Sequence, residues 1–131
     1  MMTCGFWPRR GGAIAVVVDR TGRVRSAMLI AGPDAASGLV THLVAGDGVE
    51  LVLPEALARG DPLAGLALSA GLPVWLAPAA TVEPLRRAAG LAIGAARASA
   101  ALLARLPAIP ALRHVLRRLE SAADPRQLTL L

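Results

Sequence analysis

Short apolar runs separated by turn residues divide this chain into strands and helices. A run rich in β-branched side chains covers residues 13–18 and predicts a strand, while residues 23–30 begin by alternating polar and apolar positions, as a half-exposed strand does. Asp19 to Gly22 lie between them and favour a turn, in which Gly22 supplies the permissive backbone. The pattern therefore predicts an antiparallel hairpin.

A strand, a helix and a second strand are predicted over residues 49–78. An apolar run is followed by a helix start, with Asp61 as the N-cap and Pro62 as the first helical residue, and Gly71 ends the helix before the next apolar run. Parallel strands need such a crossover. In open α/β sheets the chemistry lies past the carboxyl ends of the strands, which here are marked by Glu55 and Pro78.

Helical periodicity fills most of the remaining chain. A helix between the hairpin and residue 49 is predicted to bury Leu39, Val40 and Leu43. Three more helices are expected later: a short one around Leu85, an Ala-rich one within residues 91–106 and a last one over residues 111–122. This order predicts an α/β fold, with a mixed sheet flanked by helices and a C-terminal helix.

The domain organisation predicted from these elements has three parts. Residues 1–12 show no periodicity and are expected to form a flexible leader, residues 13–122 the folded domain, and residues 123–131 a flexible tail. Residues 62–82 carry no charge and could reach across a bilayer, but glycines and prolines divide them, so a membrane protein is not expected.

Composition narrows the function further. The formal net charge is +5, and every one of the 14 Lys+Arg positions is Arg, which permits a nucleic-acid partner. Phe6, Trp7 and Trp75 are the only Phe, Tyr or Trp residues, too few for a module that stacks single-stranded bases.

Cys4 is the sole cysteine, so no internal disulfide can form, and a cytoplasmic location is expected. Scattered cysteine and histidine positions predict no zinc site, and no cofactor is expected.

Five arginines form the predicted nucleic-acid-binding surface. Three lie on the predicted last helix and two on the helix before the Ala-rich one: Arg113, Arg117, Arg118, Arg86 and Arg87. They could contact phosphates. The alternative is an ordinary solvated helix face.

The order of elements resembles a known family. A hairpin turning at Asp19, a strand ending near Glu55, a helix closing at Ala70-Gly-Leu-Pro-Val, and a strand ending at Pro78 resemble the RNase H-like (RuvC-type) domain of DEDD insertion-sequence recombinases, whose members work with a guide RNA. Residues 94–106 look like the family's next helix. The resemblance covers residues 13–106.

The resemblance implies four acidic residues that hold divalent metal for phosphodiester cleavage. No acidic residue precedes Asp19, which itself falls in the hairpin turn, and Ala96 and Ser99 stand where the family has its last two acidic residues. Glu55 is the one possible catalytic match. The expected protein is a catalytically inactive RNase H-like binding protein of DNA replication, repair or mobile elements. The alternatives are a metal-dependent nuclease or transposase fragment, and a small structural or membrane-associated protein.

The last five residues resemble the bacterial sliding-clamp-binding motif. In this interpretation Leu128, Leu130 and Leu131 would anchor in an apolar groove, and Gln127 would hydrogen-bond its rim. Leu131 stands where the motif more often has Phe. The alternative is that the leucines pack back on the domain.

Overall fold

A computed structural model describes residues 2–32, 34–46, 48–58, 62–91 and 95–119. Within these residues, six strands form one mixed sheet, and five α-helices and two short 3-10 helices connect or flank them. In chain order the elements are β1 Met2–Arg9, β2 Gly12–Val18, β3 Val24–Ile30, α1 Ala35–Ala45, β4 Val49–Pro54, a 3-10 turn Glu55–Ala58, α2 Pro62–Ser69, β5 Val74–Ala77, α3 Ala79–Ala88, α4 Ala96–Arg105, a 3-10 turn Leu106–Ala108, α5 Pro110–Arg113 and β6 Arg117–Leu119.

The strands lie in the order β3-β2-β1-β4-β5-β6. β1, β4 and β5 are parallel, whereas β2, β3 and β6 join through antiparallel pairings. The predicted hairpin is confirmed as β2–β3, and the predicted strand–helix–strand unit as β4–α2–β5. The helix cap proposed at Asp61 lies outside the described residues.

Apolar side chains cover both faces of the sheet. On one face, α1 and α2 pack against the central strands, and α1 buries the three predicted residues Leu39, Val40 and Leu43. On the other face, α4 packs against β1 and β2, while Val82 of α3 and Leu103 of α4 enclose Val52. Both faces of the central strands are therefore excluded from water, and the predicted mixed sheet flanked by helices is confirmed. No helix in the described part of the chain is long and apolar enough to cross a bilayer.

The prediction of a flexible leader over residues 1–12 is wrong. Residues 2–9 form β1, which lies inside the sheet between β2 and β4, and Gly12 already begins β2. A strand that is covered on both faces does not show the polar alternation of a half-exposed one. Pro8 and Gly5 also lower its apparent strand propensity.

The prediction of a last helix over residues 111–122 is also wrong. The chain makes one turn of helix, α5, and then forms β6 antiparallel to β5, with Arg118 opposite Trp75. The apolar spacing of Leu112 and Leu116 matched a helix because both side chains pack into the same core cluster. The free edge of β5 accepts the segment as a strand, a tertiary pairing that local periodicity does not reveal.

Helix α4 lies directly on the backbone of β1. A Cβ atom built on Gly5 would overlap the carbonyl oxygen of Ala100 and lie 2.7 Å from the backbone nitrogen of Ala104. Three small residues thus set the distance between strand and helix. This close approach brings the first turn of α4 beside the end of β1.

We expect the turn between β2 and β3 to make stability depend on pH. The Asp19 carboxylate accepts hydrogen bonds from the side chain of Thr21 and from the backbone N–H groups of Arg23 and Thr21, and Arg25 lies 3.9 Å away. These interactions, led by the Thr21 side chain, lower the pKa of Asp19. A lowered folded-state pKa stabilises the protein above the unfolded-state value of about 4, and the stabilisation is lost as the pH falls through the folded-state value.

Asp19→Asn should therefore be less stable than the wild type at neutral pH, with the difference shrinking as the solution is acidified below about pH 4. Urea unfolding at a series of pH values measures it. Thr21→Val keeps the carboxylate but removes its first donor, so it should lose part of the same pH-dependent difference. A gap between wild type and Asp19→Asn that stays constant with pH would contradict this account.

Candidate functional site

The carboxyl ends of the three parallel strands meet at one edge of the sheet. Trp7 lies near the end of β1, Glu55 directly follows β4, and Ala77 ends β5. Together with Val82 and Glu83 of α3 they line an open cavity of about 400 Å³. This is the edge at which α/β folds place their chemistry.

The guanidinium of Arg86 lies beside this cavity. Arg86 Nε donates a hydrogen bond of 2.9 Å to Ser99 Oγ, its Nη1 lies 3.2 Å from a Glu83 carboxylate oxygen, and its Cζ lies 4.7 Å from the centre of the Trp7 ring. The side chain of Arg86 is only 13% exposed, and Ser99 is fully buried. The guanidinium of Arg86 thus links the end of α3 to the start of α4 through Ser99 and to β1 through Trp7.

These residues do not fit the divalent metal that the RNase H-like resemblance implies. β1 precedes the β2–β3 hairpin but carries no acidic residue, and Ala96 and Ser99 on α4 offer no carboxylate. Asp19 lies in the turn after β2, at the opposite edge of the sheet. Among the described residues, no group of three or more His, Cys, Asp or Glu side chains could hold a metal ion. A nearly buried guanidinium would also repel a cation at this place.

Glu55 lies where the sequence placed it, at the end of β4, but it faces an arginine. Its carboxylate is 3.2 Å from Arg117 Nη2, with the two side chains 40% and 62% exposed. The ion pair links the segment after β4 to the start of β6. An exposed pair of this kind contributes about 0–1 kcal/mol.

The remaining predicted arginines are distributed around the sheet instead of sharing one helix face. Arg113 Nη2 lies 3.7 Å from Oε1 of the buried Glu50 carboxylate, and Arg113 Cζ lies 5.0 Å from the centre of the Trp75 ring. Arg118 is on β6, and its Cζ lies 5.3 Å from the same ring centre. Arg87 is exposed at the end of α3. Arg86, in contrast, is engaged inside the molecule as described above.

The two histidines and the cysteine take no part in the candidate site, and the predicted clamp-binding residues are not described by the structure. His42 and His114 are both exposed. Burial raises the pKa of the Cys4 thiol to about 12, which makes it unreactive at neutral pH. The predicted clamp-binding residues Gln127, Leu128, Leu130 and Leu131 lie outside the described residues.

Trp7 and its contact with Arg86 were missed at the sequence level because β1 was not recognised. A signal was available in the pair Arg10-Gly11. It separates two apolar runs by two residues, which is the spacing of a tight hairpin. The structure contains this turn: Arg9 pairs with Gly12, and Gly11 takes a φ of 79°.

Comparison with solved structures identifies the fold. The chain is similar to RuvC of T. thermophilus in complex with a Holliday junction substrate, with a TM-score of 0.59 and 18% sequence identity over 91% of this chain and 99% of that one. No protein-family model matches the chain, and no curated protein matches it significantly. The fold is therefore the RNase H-like fold of RuvC, as the sequence predicted.

Proposed function

We propose that this chain is a nucleic-acid-binding protein that has kept the RNase H-like fold without its catalysis. The observation that carries the proposal is the contact of Arg86 with Trp7 and Ser99. These residues lie at the edge where the fold's metal-binding carboxylates are expected, and they place a positive charge there. A guanidinium at this place repels the metal ions that phosphodiester cleavage requires, and its own carboxylate partner is already supplied by Glu83.

Three further observations support a nucleic-acid partner. The similar RuvC structure contains a Holliday junction substrate. The chain carries a net charge of +5. Arginines are exposed at several positions, among them Arg87, Arg117 and Arg118. We keep these three in the proposed contact surface together with Arg113, whose side chain is 46% exposed, and leave out the nearly buried Arg86.

Cleavage assays test the absence of catalysis. The wild-type chain, incubated with magnesium or manganese, should cleave neither a four-way junction, nor duplex DNA, nor an RNA–DNA hybrid faster than a Glu55→Gln variant does. Glu55 is the only acidic residue at the predicted family positions, so it is the matched control. Metal-dependent cleavage that disappears in Glu55→Gln would instead establish the alternative of a nuclease or transposase fragment.

Binding assays test the remainder of the proposal. Fluorescence anisotropy with labelled four-way junction and duplex DNA should show binding that weakens steeply as salt rises, because arginine–phosphate contacts release counterions. A relation to insertion-sequence recombinases and a role in replication or repair stay predictions from the sequence. The cytoplasmic location also stays a prediction.

The tail gives a second proposed interaction, with the bacterial sliding clamp. Its support is the sequence of residues 127–131. Titration of the clamp with the wild type and with a Gln127→Ala/Leu128→Ala variant is the experiment, and only the wild type should bind. Equal binding by both, or no binding by either, would contradict docking through the tail.

A further inference from the structure

A basic groove lies at the same edge of the sheet as the cavity beside Glu55, and the two have no lining residue in common. It has a volume of about 590 Å³ and runs between the end of β1 and the first turn of α4. Three arginines line it, Arg9, Arg10 and Arg97, and all three are exposed. The rest of the lining consists of alanines, Pro8 and Ile14, so no carboxylate faces these charges within the groove.

Two distant parts of the sequence build this groove. The two-residue turn at Arg10-Gly11 places Arg9 and Arg10 at the tip of the β1–β2 hairpin. Because Gly5 lets α4 lie against the β1 backbone, the first turn of α4 brings Arg97 to the same place. The three charges therefore share a groove although Arg97 lies far away in sequence.

Within the described residues, no carboxylate neutralises the charges of the groove. In the described part of the chain, none of the three guanidinium groups takes part in an ion pair or a side-chain hydrogen bond. Three of the five arginines predicted from the sequence differ in this respect, since Glu83, Glu50 and Glu55 are the partners of Arg86, Arg113 and Arg117. An unpaired cluster of arginines attracts phosphate groups, which guanidinium groups bind in bidentate fashion.

We propose that this groove binds consecutive phosphates of a nucleic-acid backbone, with Arg9, Arg10 and Arg97 as the contacts. The inference rests on the proposed function and adds a contact surface to the arginines named there. The start of α4 adds to the attraction, because Ala95 provides no side-chain cap and the first N–H groups of the helix carry partial positive charge. In this proposal, the edge of the sheet where the resemblance implies divalent metal binds an anion instead.

The test compares two triple variants with the same loss of charge. Arg9→Gln/Arg10→Gln/Arg97→Gln removes the groove charges. Its matched control is Arg20→Gln/Arg23→Gln/Arg25→Gln, which removes three exposed arginines around the β2–β3 turn, at the opposite edge of the sheet. Anisotropy titrations with labelled four-way junction and duplex DNA over a range of salt concentrations give the affinity and its salt dependence, and circular dichroism checks that both variants fold.

We expect the groove variant to bind at least about tenfold more weakly than the control, with the slope of log affinity against log salt reduced by about 2 to 3, at about 0.9 per lost phosphate contact. Equal binding by the two variants would overturn the groove while leaving the proposed function intact. No binding of nucleic acid by the wild type would overturn both. If inorganic phosphate then raised the melting temperature of the wild type but not of the groove variant, the groove would be a free-phosphate site instead.

Discussion

Replacing Gly5 by alanine should destabilise the protein by about 3 kcal/mol or more, the upper end of the usual cost of overpacking. The added methyl group would overlap the backbone of α4 at Ala100 and Ala104. Backbone atoms cannot rotate away as a side chain can, and Ala100 is itself fully buried, so β1 and α4 would have to separate. Urea unfolding followed by tryptophan fluorescence and circular dichroism measures the loss.

Gly38→Ala is the control for this substitution. Gly38 is the fourth residue of α1, and a Cβ atom there would meet nothing within 4 Å. Alanine should therefore stabilise the protein by about 0.5–1 kcal/mol, because glycine is a poor helix residue. If Gly5→Ala unfolded at the same urea concentration as the wild type, the close packing of α4 on β1 would be disproved.

Arg86→Met should be the second most damaging change, with an expected loss of about 2–3 kcal/mol. Methionine keeps the apolar stem but leaves the buried Ser99 hydroxyl without its donor, at a cost of about 1–3 kcal/mol, and removes the charge over the Trp7 ring, worth about 0.5–2 kcal/mol. Glu83 would lose its ion-pair partner as well. Unfolding by urea at neutral pH gives the difference.

A double-mutant cycle separates these contributions. Ser99→Ala alone and combined with Arg86→Met should reveal a coupling energy of about 1 kcal/mol between the two side chains. Arg87→Met, on the exposed neighbouring position, should change stability by no more than about 0.5 kcal/mol. Additive effects of the Arg86 and Ser99 substitutions would mean that the hydrogen bond between them contributes nothing.

The sequence predicted the parts of the fold whose signals are local. The β2–β3 hairpin and the β4–α2–β5 unit have turn residues and apolar runs of the right lengths, and both are present. β1 and β6 were not predicted from the sequence, for opposite reasons. β1 is buried on both faces and so lacks alternation, whereas β6 has helical apolar spacing and becomes a strand only because β5 offers a free edge.

The candidate site likewise divides into residues with a local signal in the sequence and residues placed only by tertiary packing. Glu55 could be placed from the sequence because it directly follows a recognisable strand. The sequence places Arg86 among the surface arginines, since nothing local reveals that Trp7 and Ser99 lie beside it. The groove of Arg9, Arg10 and Arg97 requires the packing of α4 on β1 and could not be found without tertiary structure.

The direction of β6 determines where the tail leaves the domain. Since β6 runs antiparallel to β5, Leu119 lies opposite Val74, at the start of β5 and away from the edge that carries the groove. From Leu119 to Gln127 the chain can extend at most about 28 Å, at 3.3–3.6 Å a residue. A sliding clamp bound at Gln127 would therefore lie within about that distance of Leu119, the last described residue, which itself lies at the edge of the sheet opposite the proposed groove.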